Sequence, residues 1–233
     1  MSTISHASSF VFEDKVAIPT WIRDLESFRR WAHSDEFPAS GWFSYLAGEI
    51  WVDLSREQLF SHNRVKAEIT AVLVALVKSR QLGYLFADRA RLCHAAADVY
   101  TEPDCLFVSY DSVKQGRIRL VEGADEGYVE VEGSPDVVLE VISPTSVRKD
   151  RVRLRELYHR AGASEYWLVD ARGDQPVLEI LRHETNEYVP AEPRDGRTSS
   201  PVFGCKFQLR SRSDPLGHPE YTLDVADLDE SSP

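Results

Sequence analysis

No stretch of this chain approaches the ~20 consecutive apolar residues of a membrane-spanning helix, and the N-terminal MSTISHASSF has neither the basic start nor the apolar run of a secretory signal. The sequence therefore predicts no membrane partner and a cytoplasmic location. Cysteine is scarce. Cys93, Cys105 and Cys205 are odd in number, widely spaced and without a CxxC pair, which argues against a disulfide framework and gives no zinc signature. They read as inert core thiols. Positive charge is also short: 27 Lys and Arg stand against 38 Asp and Glu, a formal net charge of −11. A protein that coats nucleic acid by charge alone needs a basic surface, so any such contact here has to be local. Internal repeats are absent, as are helix-turn-helix and zinc-finger patterns that would read bases.

What is present suits a compact domain: 42% of the 233 residues are hydrophobic and 28% charged. The composition predicts a flexible tail over 1–20, a single α/β domain over 21–225 and a loose tail over 226–233. An amphipathic segment around DLESFRRWA precedes YLAGEIWVDL, which reads as a strand. SREQ offers a capping box, with Ser55 as cap and Gln58 three residues on. In SHNRVKAEITAVLVALVKSR, the residues Val65, Ile69, Val72, Leu73, Leu76 and Val77 keep helical spacing and predict a core-facing helix. Beyond Gly83, YLFADRARL, PDCLFVS, PDVVLEVI, EYWLVD and PVLEILRH are short apolar runs bounded by breakers, as strands are. PVFGCKFQL is a late strand. Leu154, Leu157, Tyr158 and Ala161 repeat at i, i+3, i+4 and i+7, with Gly162 placed to end that helix. Strand, helix, strand in that order predicts a crossover unit in a sheet with helices packed on it.

Glu140 interrupts the apolar run PDVVLEVI. A buried carboxylate is disfavoured by several kcal/mol unless something compensates it. An arginine partner is the bland solution. A second carboxylate stands in a closely similar setting, since Asp104 opens PDCLFVS as Asp136 opens PDVVLEVI. If those runs are neighbouring strands, Asp104 and Glu140 converge, and two converging carboxylates require either a proton or a divalent cation. A cation there would withdraw charge from a scissile phosphate and acidify an attacking water, and a nearby lysine would orient that water and offset developing charge.

The stretch from Pro135 to Asp170, PDVVLEVISPTSVRKDRVRLRELYHRAGASEYWLVD, resembles the Uma family of restriction endonucleases in the PD-(D/E)XK superfamily. The matching elements are Pro135 and Asp136, Glu140 in its strand, Ser143 and Pro144, Asp150, Tyr158, Ala161 and Gly162, and EYWLVD. A looser match through GEIWVDL, His62 and the PD of Pro103 and Asp104 extends it over most of 45–182. The resemblance implies a restriction-endonuclease-like fold, a mixed β-sheet flanked by helices, with a nuclease site using Mg2+ or Mn2+ in its place. Asp104 would be the first metal ligand and Glu140 the second. Glu68 or His62 on the long helix would add a third contact. A helix-start histidine bonded within the core is the alternative for His62, and a solvated flank the alternative for Glu68. Asp136 fits a strand-start or supporting role, and Asp150 a cap on the following helix.

The superfamily lysine is missing. Two residues after Glu140 stands Ile142, and the alternative helical position, four before Tyr158, is Leu154. Lys149 is the nearest lysine and the candidate to replace it. Arg148, Arg151 and Arg155 lie off the apolar stripe, either as a solvated face or as a phosphate-docking surface. The sequence thus predicts a magnesium-dependent endonuclease acting on DNA, paired as a homodimer as related nucleases often are. Its rival is a non-catalytic nuclease fold that binds nucleic acid or a protein partner.

Overall fold

The computed structural model describes residues 16–124 and 127–228. Most of the expected N-terminal tail and residues 229–233 lie outside the described residues. Among the described residues, three sheets and four α-helices make up the architecture. The first sheet contains β1 (Trp42–Leu46), β2 (Glu49–Asp53), β4 (Arg91–His94), β5 (Val99–Thr101), β7 (Ile118–Glu122) and β8 (Tyr128–Gly133), in the order β2-β1-β5-β4-β8-β7. The second contains β3 (Gly83–Ala87), β6 (Cys105–Ser109), β9 (Val137–Val141), β10 (Glu165–Asp170), β11 (Val177–His183) and β12 (Tyr188–Pro190), in the order β12-β11-β10-β9-β6-β3. The third is β13 (Thr198–Ser200), β14 (Cys205–Ser213) and β15 (Pro219–Asp227). The helices are α1 (Leu25–Ala32), α2 (Val65–Arg80), α3 (Tyr110–Lys114) and α4 (Arg155–Arg160).

The second sheet is the centre of the molecule. Strands β9 and β10 pair in parallel, joined through α4 in the predicted crossover, while the other pairings in that sheet are antiparallel. The period of two then sorts their side chains. Val137, Leu139, Val141, Trp167 and Val169 face the buried stripe Val65, Ile69, Leu73 and Val77 of α2 and the third sheet. Val138, Ile142, Tyr166 and Leu168 face Leu154, Leu157 and Tyr158 and part of the first sheet. A third cluster packs Phe28 and Trp31 of α1 on Phe43 and Tyr45.

Several local readings are corrected. YLAGEIWVDL is a hairpin rather than one strand: Ala47 and Gly48, at φ 49° and 88°, form a two-residue turn whose left-handed geometry matches the strand twist. Ser55 does not cap a helix. Its amide donates to Asp53 Oδ1 at 2.8 Å, and helical structure starts only at Leu59, as a π-helical turn over Leu59–Arg64 leading into α2. Asp150 is likewise no cap, because it lies inside a second π-helical turn, Lys149–Leu154, that leads into α4. The late strand begins at Cys205 rather than Pro201, and β15 continues to Asp227, two residues into the expected tail, because Cys205 pairs with Asp227. All three cysteines are free and buried, and burial pushes the Cys93 and Cys105 thiols up to about 12. Among the described residues no helix is long and apolar enough to cross a membrane.

Gly133 ends β8 where the chain turns toward β9. At φ 118° it occupies a conformation that side chains rarely adopt, and a Cβ there would stand 2.1 Å from the Arg117 carbonyl oxygen. Gly133→Ala should therefore cost at least about 2 kcal/mol of stability. Urea unfolding of the variant measures this.

Candidate functional site

Antiparallel pairing sets the site. Strands β6 and β9 align Cys105 with Leu139 and Leu106 with Val138, so one further step of that register brings Asp104 beside Glu140. The Val141 amide donates to Asp104 Oδ2 at 2.8 Å, which fixes the aspartate at the strand edge. Glu140 is 4% exposed and shares the α4 side of β9 with Val138, where the Tyr158 hydroxyl donates to its Oε1 at 2.7 Å. Both carboxylates line a cavity of about 60 Å³ together with His62, Glu102, Lys149 and Asp150.

The two π-helical turns deliver the rest. Such wide turns re-aim side chains within a helix and recur at functional sites. The turn before α4 directs Lys149 and Asp150 inward, with Nζ 3.7 Å from Asp150 Oδ1. The turn before α2 carries His62, whose Nδ1 bonds Glu57 Oε1 at 2.8 Å and whose Nε2 lies 3.5 Å from Asp104 Oδ2. His62 is thus bonded to Glu57 on one side and faces Asp104 on the other. One turn on, Lys66 Nζ stands 3.4 Å from Asp104 Oδ1 and 2.6 Å from Glu57. Asp88, in a left-handed conformation between β3 and β4, stands 3.4 Å from the same Nζ.

Burial drives the Glu140 carboxyl up to about 8; Asp150 and Asp104 reinforce this and Lys149 opposes it. Burial likewise raises Asp150 to about 6. At Asp104 burial acts in the same direction, but His62 and Lys66 outweigh it and hold the carboxyl below its ordinary range. Burial works against the charge of Lys149, yet Glu140 and Asp150 more than offset it and keep the ammonium protonated.

The family model Uma2, described as "Putative restriction endonuclease", matches residues 25–212. This chain belongs to the Uma2 family. Its fold is also similar to that of a solved structure described as "a putative nuclease belonging to DUF820" from Anabaena variabilis ATCC 29413. The TM-score is 0.56 at 19% identity, over 77% of this chain and 90% of that chain, a likeness of fold. No curated protein matches the chain.

Other predicted site residues of this Uma2 chain lie elsewhere. Glu68 is not at the cavity: its Oε1 accepts the Leu223 amide at 2.9 Å and ties α2 to β15, because its position on the helix faces the third sheet rather than the Asp104 edge. Asp136 sits at the opposite end of β9 from the site. There it accepts the Ser109 amide at 2.6 Å and the Ser112 hydroxyl at 2.8 Å, a strand-start anchor. The three arginines do not form one docking face. Arg148 is exposed, Arg151 is bound to Glu179 at 2.7 Å and Asp170 at 3.3 Å, and Arg155 donates to the Tyr188 carbonyl at 2.7 Å. Strands β10, β11 and β12 supply these acceptors, which the helix's own spacing does not reveal. Lys66, Glu57 and Glu102 were missed. For Lys66 the signal was its i+4 relation to His62; Glu57 and Glu102 carried none beyond their charge.

Among the described residues no three His, Cys, Asp or Glu side chains form a ready metal cage. Asp150 Oδ1 and Glu102 Oε2 are nevertheless buried without hydrogen-bond partners, and burial raises Glu140 despite Lys149. These features fit an ion that binds one or two carboxylates and keeps several waters, as Mg2+ does.

The raised Glu140 has a consequence for stability. The folded chain keeps this proton between its ordinary 4.5 and about 8, whereas the unfolded chain releases it, so folding stability falls as pH rises through that window. Asp150 and His62, also raised, act in the same direction. In chelator, Glu140→Gln should flatten the decline of thermal midpoint from pH 5 to 8 and make the chain more stable than wild type at pH 8. Parallel curves for the two proteins would contradict the assignment.

Proposed function

We propose that this chain is a metal-dependent endonuclease that hydrolyses phosphodiester bonds in DNA. The observation that carries the reading is the convergence of Asp104, Glu140 and Lys149 on one cavity. Asp104 and Glu140 would hold Mg2+, or Mn2+ in its place. When bound, the ion supplies charge withdrawal from the phosphate and an acidified water. Asp104, held ionised by His62 and Lys66, offers a carboxylate without first losing a proton. Glu140 has to give up its proton on binding, and the Tyr158 hydroxyl holds it in orientation throughout.

Lys149 takes the place of the absent superfamily lysine. Ile142 and Leu154 are both fully buried in the same apolar cluster, so neither position could carry an ammonium to the cavity without burying it in hydrocarbon. A protonated Lys149 beside the cavity can orient a water and offset charge developing on the phosphate oxygens. Arg56, exposed on the cavity's rim, is free of the acidic partners that occupy Arg151 and is the better phosphate contact. The apolar residues at both lysine positions also favour the second reading, a nuclease fold that binds without cutting.

Magnesium should raise the thermal midpoint of the wild type, because a ligand held only by the folded state stabilises it by mass action. Asp104→Ala should lose that response and Glu68→Ala should keep it. Lys149→Ala should cut DNA at least about 100-fold more slowly while still responding to magnesium. A wild type that cleaves no DNA with either metal would leave the binding-only reading.

A further inference from the structure

The β1–β2 hairpin turns its two faces to different surroundings. Phe43 and Tyr45 point into the α1 cluster, against Trp31 at 5.7 Å and Phe28 at 5.6 Å between ring centres. Side-chain alternation sends Trp42 and Ser44 the other way. The register places Trp42 opposite Asp53 and Ser44 opposite Trp51, so these four form one patch. That patch walls a cavity of about 300 Å³, closed on its far side by Thr145 and Lys149. The cavity adjoins the carboxylate pocket, for Trp42, Asp53, Ser146 and Lys149 line both.

Both tryptophans are only partly buried, and Trp42 belongs to none of the three buried clusters. The Arg89 guanidinium lies 5.7 Å from the Trp42 ring centre, a cation–π contact that helps hold the indole in place. Trp51 packs against the second cluster and its Nε1 donates to Glu49 Oε2 at 3.3 Å, so each indole is held while part of its surface stays open and suited to a flat π partner. The chain's net charge of −11 offers phosphates no general attraction, so affinity has to come from contacts that do not depend on charge. Base stacking on aromatics is such a contact, and it is tolerant of sequence. Paired bases inside a duplex present no free face to it.

We propose that this cavity is a stacking subsite for unpaired nucleobases, so that the strand reaching the carboxylates is single-stranded or flapped rather than continuous duplex. Trp42 and Trp51 stack the bases, and Lys149, at the junction of the two cavities, meets the phosphate between them. The inference rests on the phosphodiesterase reading for its substrate but not for its test.

The test uses the full chain in chelator, where nothing is cut. Fluorescence anisotropy compares a labelled 12-residue oligothymidine with a labelled duplex of the same length, and quenching of intrinsic tryptophan emission gives a second signal. The single strand should bind more tightly and quench the emission. Trp42→Ala and Trp51→Ala should each weaken its binding roughly 10-fold. Trp42→Phe, which keeps an aromatic face and spares the fold, should retain most of the affinity but lose part of the quenching. Duplex bound as tightly as the single strand, or variants that bind oligothymidine like the wild type, would overturn the proposal. A chain that binds the single strand through both tryptophans but never cleaves would lose the nuclease reading and keep this one.

Discussion

A carboxylate in the middle of the central sheet constrains this molecule. Glu140 stands on β9 with apolar neighbours before and after it, 4% exposed, in a position that costs several kcal/mol if ionised and unpaired. Much of the surrounding geometry is a response to it. Tyr158, on α4, gives up its hydroxyl hydrogen to Glu140, and the π-helical turn before α4 swings Lys149 toward the same cavity. The remaining mismatch appears as a carboxyl held protonated up to about 8. The strain is concentrated beside one cavity, where Tyr158 and Lys149 offset it only in part.

The neighbouring Asp104 has the opposite electrostatics at almost the same place. Its amide, imidazole and ammonium partners come from β9, the turn before α2 and α2 itself, so it stays ionised although buried. Two neighbouring carboxylates thus have pKa values pushed apart, Asp104 ionised and Glu140 protonated. On an acidic chain, the cations that matter have been drawn inward to manage this contrast. Arg151, which sequence alone offers to solvent, is neutralised by Asp170 and Glu179 instead. Beside the cavity the β1–β2 hairpin presents aromatic surface, Trp42 and Trp51.

Much of this was legible in the chain. The stripe Val65, Ile69, Leu73 and Val77, the crossover through Leu154, Leu157 and Tyr158, and the strands β6, β9, β10 and β11 follow from hydrophobic period, a local property that burial enforces residue by residue, whereas YLFADRARL splits into β3 and β4 of two different sheets. The placement of Glu140 in an apolar run, with Asp104 opening a similar one, likewise announced a compensated charge. Local capping chemistry was less dependable. Ser55 and Asp150 both match helix-start patterns, yet Asp53 takes the Ser55 amide and the Ser146 hydroxyl donates to Asp150.

Sequence by itself determined the buried stripes of α2 and α4, the apolar runs of the central strands, and that two carboxylates needed an answer, because these depend on spacing along one chain. Tertiary structure alone decided that β6 and β9 pair in the register that sets Asp104 beside Glu140, and that Lys66 joins them from 38 residues away. It also sent Glu68 to the Leu223 amide, 155 residues distant, and turned Trp42 and Trp51 toward the same cavity as Lys149. Those outcomes depend on which face of each element meets which partner, and a one-residue change of register would send every side chain of a strand to the other side.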